Sequence, residues 1–193
     1  MTMQLIQFKK VKDGKYLKNY ELTYLNRAGK EKAYEIVSRR ELKNAEDIGS
    51  SSSGVSIVAV KNDSFLLLKE FRLGVNKWVY NHCPGMQEEN ESVEECIKRE
   101  LFEETGLKLV RIYDLLPPSY AAVAISDVST QIAFVEVEGE IEDLNLSENE
   151  EIQAAFYSRK EILGLLNSGE PFSSRAQITA YLFSKGFFSV LKS

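Results

Sequence analysis

Eight glutamates fall between Gly85 and Leu107, in the stretch GMQEENESVEECIKRELFEETGL. Ser92 followed by Glu95 has the spacing of a capping box, and Gly106 suits the left-handed residue after a helix, so the pattern predicts a helix over about 93–105. At 3.6 residues per turn Val93, Ile97 and Leu101 make its apolar stripe. Glu100, Glu103 and Glu104 lie beside that stripe, three and four residues apart, within reach of one another. Like charges so placed cost about 0.2–0.5 kcal/mol per pair. Carboxylates in a last turn also oppose the helix dipole, at roughly 0.3–1 kcal/mol each. A solvated acidic face would therefore be locally unfavourable. A bound divalent cation removes both costs, since hard cations such as Mg²⁺ take oxygen ligands.

The wider pattern is more specific. Gly85, five residues, Glu91, seven residues and then RELFEETGL agree with the Nudix box at Gly85, Glu91, Arg99, Glu100, Leu101, Glu103, Glu104, Gly106 and Leu107. On these residues the chain resembles the Nudix hydrolases. The resemblance implies a loop–helix–loop that binds Mg²⁺ or Mn²⁺ and hydrolysis, by water attack on phosphorus, of a nucleoside diphosphate linked to another group. It implies Glu100, Glu103 and Glu104 as metal ligands, helped by the carbonyl of Pro84, with Glu103 and Glu104 also counted as catalytic. Glu91 and Arg99 would brace the loop and orient the ligands, which puts Arg99 among the catalytic residues. The chemistry suits the donors: metal ions neutralise the pyrophosphate and acidify a water, and a nearby carboxylate takes its proton.

Three further stretches resemble the ADP-ribose pyrophosphatase branch of that family. LLLKEFRLGVNKWVY places Phe71 and Arg72 where the branch has an aromatic–arginine pair, which implies substrate contacts. YEIVSRR resembles the N-terminal strand that sends an arginine, here Arg39, to the partner subunit's substrate; a plain surface charge is the alternative. LSENEEIQAAFYSRKEI resembles the later loop that supplies acids, with Glu148 and Glu150 as catalytic candidates and Glu150 also as a metal ligand. Tyr120, in PPSYAAVAISD, is placed either to stack on a substrate base or to pack at a rim. The chain departs from the branch at NHCPG, where Asn81 stands in place of an expected acid, and at AAVAISDVS, where Asp127 is the nearest acid. With these departures, the resemblance implies ADP-ribose, a nucleotide sugar or a related dinucleotide as the substrate class. A Nudix-fold module that senses a nucleotide without cleaving it is the alternative, although the box is complete.

The elements that must position these residues can be read around them. The 193 residues, 44% hydrophobic and 27% charged, are enough for one domain with a core and an appendage. Residues 1–48 read as two β-hairpins with turns at KDGK and NRAGK, too thin to stand alone; the branch resemblance implies that they form an intertwined homodimer. GSSSSG at 49–54 reads as a flexible joint, and 49–193 as the Nudix domain. There, strand-like VSIVAV and SFLLLKEFR meet at a KND turn and precede the acidic helix. KLVRIYDLL, TQIAFVEVEG and EIQAAFYS follow, and two helices close the chain, with cap spacing at Ser158/Glu161 and Ser174/Gln177. The expected class is α+β, a Nudix-type α/β/α sandwich on a mixed sheet plus a small N-terminal antiparallel β region.

The bulk numbers exclude several alternatives. One histidine, His82, cannot supply a multi-histidine zinc site. A net charge of −5 and a pI near 5.2 argue against nucleic-acid binding. Two cysteines make no disulfide framework, and the sequence shows neither a leader-like start nor an apolar run of roughly 20 residues, so a cytoplasmic protein without membrane contact is expected.

Overall fold

The computed structural model describes residues 2–142 and 151–188, and they divide into two compact units. The first joins residues 1–53 to 118–130. Alternating apolar positions build its three-stranded antiparallel sheet from β1 (Gln4–Asp13), β2 (Lys18–Leu25) and β3 (Glu31–Ser38), with β2 central. Tyr20 and Leu22 of β2, Ile36 of β3 and Leu42 form a small buried cluster, edged by Leu5, Phe8, Tyr24 and Ile48. Tyr20 stacks on Phe8 at 5.0 Å between ring centres, and its hydroxyl accepts the Leu42 N–H at 2.8 Å. In the β2–β3 turn the Asn26 carboxamide accepts the N–H groups of Ala28 and Lys30, and Gly29 takes a positive φ of 72°.

The serine run is held rather than loose. Ser53 N–H donates to the Ser129 carbonyl at 2.8 Å, and the Ser129 hydroxyl donates to Ser51. Residues 118–130 also reach β3, where Val37 N–H donates to the Ile125 carbonyl at 2.9 Å. Asp127, almost wholly buried, lies 3.7 Å from the Arg40 guanidinium, which further donates to the Asp47 carbonyl and the Ser50 hydroxyl.

The second unit, residues 54–117 and 131–193, carries the acidic helix. Its strands are β4 (Gly54–Lys61), β5 (Ser64–Arg72), β6 (Lys77–Asn81), β7 (Cys83–Met86), β8 (Lys108–Tyr120), β9 (Ser129–Glu138) and β10 (Ile152–Tyr157), the ends of β8 and β9 belonging to the first unit. The order is β10-β5-β4-β9-β8, with β6 on β5 and β7 on β4. The β4–β9 pair is parallel while the β4–β5, β5–β10, β5–β6 and β4–β7 pairs are antiparallel, so the sheet is mixed. Asn62 and Asp63, both at positive φ, make the two-residue β4–β5 turn.

Helices cover both faces. On one, α1 (Val93–Thr105) packs Ile97 and Leu101 on Val55, Ile57, Leu66, Leu68 and Val135. On the other, α2 (Arg159–Asn167) and α3 (Ser174–Ser184) press Ile162, Ala176, Ala180 and Phe183 on Val58, Phe65 and Leu67. This is the α/β/α sandwich with a mixed sheet, and the separate three-stranded sheet is the small antiparallel region. The Ser158–Glu161 box caps α2 as expected. The cap of α3 is a correction: Ser173, not Ser174, is the N-cap, and its hydroxyl accepts from Ala176 N–H. Ser173 is drawn out of the helix because its own N–H donates to the Tyr80 carbonyl at 2.9 Å, extending the edge of β6. No described helix is long and apolar enough to cross a membrane.

Candidate active site

The acidic helix forms at Val93–Thr105, closed at both ends by the expected residues. Ser92 Oγ accepts from Glu95 N–H, Glu95 accepts from Ser92 N–H at 2.8 Å, and Gly106 at φ 73° returns its N–H to the Phe102 carbonyl. The loop before it is tied down by one arginine. Arg99 donates through Nε and Nη2 to the two oxygens of Glu91, at 2.8 and 2.9 Å, and through Nη2 to the Met86 carbonyl at 2.9 Å. Its Nη1 lies 3.0 Å from Glu100 and 3.2 Å from Glu103. Glu91 also accepts Glu88 N–H, and these contacts, the Arg99 pair first, pull its carboxyl down to about 2. The same carboxylates push the Arg99 guanidinium above its ordinary range, Glu91 foremost. These are the contacts of a brace.

Glu100 is the most enclosed of the acids held by Arg99 after Glu91, with a side chain 14% exposed, and it accepts Met86 N–H at 2.9 Å. Burial raises its pKa against the pull of Met86 N–H and Arg99. Glu103 is half exposed, and Glu104 is half-buried against the Cys83 thiol. Burial, then the Glu104 charge, keeps that thiol protonated; Cys96 is pushed up to about 12, chiefly by burial. Gly85 is where the loop meets the helix. A Cβ there would lie 2.8 Å from Val55 Cγ1, 3.0 Å from Glu100 Cγ and 3.1 Å from Cys96 Sγ. Only a bare α-carbon lets the strand carrying the Pro84 carbonyl sit that close to Glu100.

Among the described residues no three His, Cys, Asp or Glu side chains already converge as a metal cage. Arg99 instead gathers Glu91, Glu100 and Glu103 around its guanidinium. The donors still suit a hard divalent ion: carboxylate oxygens on successive turns, one desolvated and pressed on the Gly85 backbone, with backbone carbonyls beside them.

Phe71 and Arg72 end β5 in the same unit. Phe71 packs edge-on to Trp78 at 5.9 Å. Arg72 Nη1 donates to Glu70 at 2.9 Å, a buried acid that sequence reasoning passed over. The available signal was a carboxylate inside the apolar run SFLLLKEFR. His82, next to the box, is buried between the Ser56 hydroxyl at 2.8 Å and the Thr179 hydroxyl at 2.7 Å. Thr179 donates to backbone carbonyls of its own helix, so His82 Nε2 carries the proton and Nδ1 accepts from Ser56. Burial, then Arg175, pushes its pKa down to about 3, which leaves a neutral cross-link from β4 to α3.

In the first unit, Arg39 is exposed, whereas its neighbour Arg40 is tied internally. Tyr120 borders a cavity of about 240 Å³ with Tyr24, Tyr34, Ile36 and Ile48. Glu148 and Glu150 lie outside the described residues.

Comparison with known proteins agrees with this architecture. A mouse (Mus musculus) ADP-sugar pyrophosphatase is 27% identical over 135 residues, covering 67% of this chain. The aligned region spans 59% of the length of that protein. The crystal structure of an ADP compounds hydrolase superposes with a TM-score of 0.73 at 19% identity, over 98% of this chain and 96% of that one, a likeness of fold. The family model of the NUDIX domain matches residues 51–178, from the serine run through the braced acidic helix into α3, and the chain belongs to that family.

Proposed function

We propose that this protein hydrolyses the pyrophosphate bond of a nucleoside diphosphate linked to another group, with ADP-ribose or a nucleotide sugar as substrate and Mg²⁺ or Mn²⁺ as cofactor. The observation that carries the reading is the braced helix: Arg99 fixes Glu91, Glu100 and the Met86 carbonyl in one cluster, in a chain of the NUDIX family. The names of the mouse relative and of the superposed hydrolase support an ADP-containing substrate.

Glu100, Glu103, Glu104 and the Pro84 carbonyl would hold the metal, with Glu150 as a further ligand. When bound, the ion neutralises diphosphate charge and lowers the pKa of an attacking water. The chain's own part is to hold these oxygens in place: Arg99 anchors the loop to the helix, and Met86 N–H orients Glu100. A carboxylate accepts the proton of the water, with Glu148, Glu150, Glu103 and Glu104 as candidates. Phe71 and Arg72 would contact the substrate, Arg72 as a cation for its anionic part. Tyr120 would face the base, supported by the aromatic lining of the cavity it borders, and Arg39 would serve the partner's substrate.

Product release from a panel of ADP-ribose, ADP-glucose, GDP-mannose, NADH and FAD, with and without Mg²⁺, tests the reading. Metal-dependent release of a nucleoside monophosphate from one of them is expected. Tight binding without release would instead make the protein a nucleotide sensor.

The N-terminal sheet is also proposed to build a homodimer. Met3, Ile6 and Val11 of its N-terminal segment and edge strand β1 are about half exposed, which leaves apolar surface for a second copy. Light scattering on the full-length protein is expected to give twice the mass of the 21.9 kDa chain. A monomer at micromolar concentration would refute the dimer and the role of Arg39 across it.

A further inference from the structure

Arg72 reaches the end of β5 with its side chain half exposed, and what orients it is buried. Glu70, two residues back and hence on the same side of the strand, is only 7% exposed in its side chain. Its Oε2 accepts from Arg72 Nη1 at 2.9 Å, and its Oε1 accepts from Asn81 Nδ2 at 2.6 Å. Asn81 Oδ1 in turn accepts from Ser173 Oγ at 2.6 Å, and Ser173 is the N-cap of α3. A guanidinium on a strand end is thereby linked through a carboxylate and an amide to the start of a helix. Position 81 is where an acid was expected. Here the amide is required, because a second carboxylate 2.6 Å from Glu70 could sit there only by holding a proton.

We propose that Glu70 is the positioning residue for Arg72 in substrate binding, supplying from the neighbouring strand the negative charge that position 81 lacks. The inference rests on the reading of Arg72 as a contact to the anionic part of a nucleoside diphosphate derivative. Pairing with Glu70 engages Nη1 and leaves the other guanidinium N–H groups to that anion. Glu70 acts through Arg72 and does not itself touch substrate. The contact is made in the ground state and the transition state alike, so its loss raises KM and spares kcat.

The test uses full-length protein with ADP-ribose and Mg²⁺, reading kcat and KM together with the dissociation constant by calorimetry and the melting temperature. Glu70→Gln is expected to raise KM and the dissociation constant about tenfold with kcat nearly unchanged, the cost of a misplaced binding group. The isosteric exchange Glu70→Gln with Asn81→Asp relocates the acid along the same hydrogen bond. It is expected to recover both constants to within about threefold of wild type, since paired effects at contacting residues do not add. In an Arg72→Ala background, Glu70→Gln is expected to change nothing further. Wild-type binding constants in folded Glu70→Gln, or an equal tenfold loss in the Arg72→Ala background, would overturn the role of Glu70. So would failure of the exchange variant to recover while its melting temperature is native. A wild type that neither binds nor cleaves ADP-ribose would instead sink the functional reading in its ADP-ribose form, and this inference with it.

Discussion

Glu104→Gln is expected to lower turnover by roughly three orders of magnitude while the protein stays folded, the scale seen when a group that stabilises transition-state charge is lost. Glutamine keeps the shape of the side chain, so the packing of α1 through Ile97 and Leu101 is untouched. The charge removed opposes the dipole of α1: it sits in the last turn, which carries no basic residue, four residues after Glu100. Its removal relieves about 0.2–0.5 kcal/mol of like-charge repulsion and roughly 0.3–1 kcal/mol against the helix dipole. The metal-free variant should therefore melt at or slightly above the wild-type temperature. In wild type, Mg²⁺ or Mn²⁺ at a hundred times its dissociation constant should add about 2.7 kcal/mol, because a ligand selective for the native state stabilises it by mass action. In Glu104→Gln that metal-induced rise should largely vanish. Calorimetric melting with and without metal, beside steady-state turnover, gives both readouts. Near-normal turnover, or an undiminished metal shift, would remove Glu104 from the metal site.

Gly54→Ala should destabilise the protein by about 3–5 kcal/mol, in the range reserved for a few severe mechanisms. Gly54 has φ 156°, and a Cβ there would fall 1.9 Å from the carbonyl oxygen of Gly85. The obstacle is backbone, so no rotamer change relieves it. Gly54 is paired with Met86, and Val55 with Gly85, in the β4–β7 ladder, so β4 and β7 would have to part. At roughly 2–4 °C per kcal/mol for a chain of this size, the melting temperature should fall by about 10 °C. Activity in the surviving folded fraction should fall too, because the strand that moves carries Pro84 and Gly85. Gly164→Ala in α2 is the control, since its Cβ meets nothing within 4 Å. There alanine should stabilise by about 0.5–1 kcal/mol through helix propensity. Chemical denaturation of the two variants beside wild type measures both. A Gly54→Ala protein within 1 kcal/mol of wild type (a bound set by the usual spread of benign substitutions) would mean that β4 and β7 can separate freely.

These two glycines and Glu104 differ in how visible they were. The acidic helix was legible in full because everything that defines it is local. Ser92 and Glu95 close the first turn, Gly106 closes the last, and Ile97 and Leu101 repeat at the helical period between them. The KND turn and the cap of α2 were legible for the same reason, each needing only neighbours within four residues. The full spacing from Gly85 through Glu91 and Arg99 to Leu107 marked the family.

Other features depended on residues far apart in the chain, and no local rule reaches them. Gly54 read as the end of a flexible joint until β7, about thirty residues on, placed the Gly85 carbonyl against it. Ser174 had the better cap spacing, but a hydrogen bond from Ser173 to Tyr80 moved the start of α3 by one residue. Residues 118–130 carried no sign that they join the N-terminal sheet, a link made by Val37, Ile125, Arg40 and Asp127. Glu70 drew no notice in the sequence and Asn81 stood as a missing acid; the β5–β6 register made them partners. By itself the sequence determined which carboxylates α1 gathers, because a helix brings residues three and four apart together wherever it folds. Which strand end, which buried acid and which backbone carbonyl surround that helix was decided by the tertiary structure, because pairing and packing depend on register between segments that local spacing does not encode.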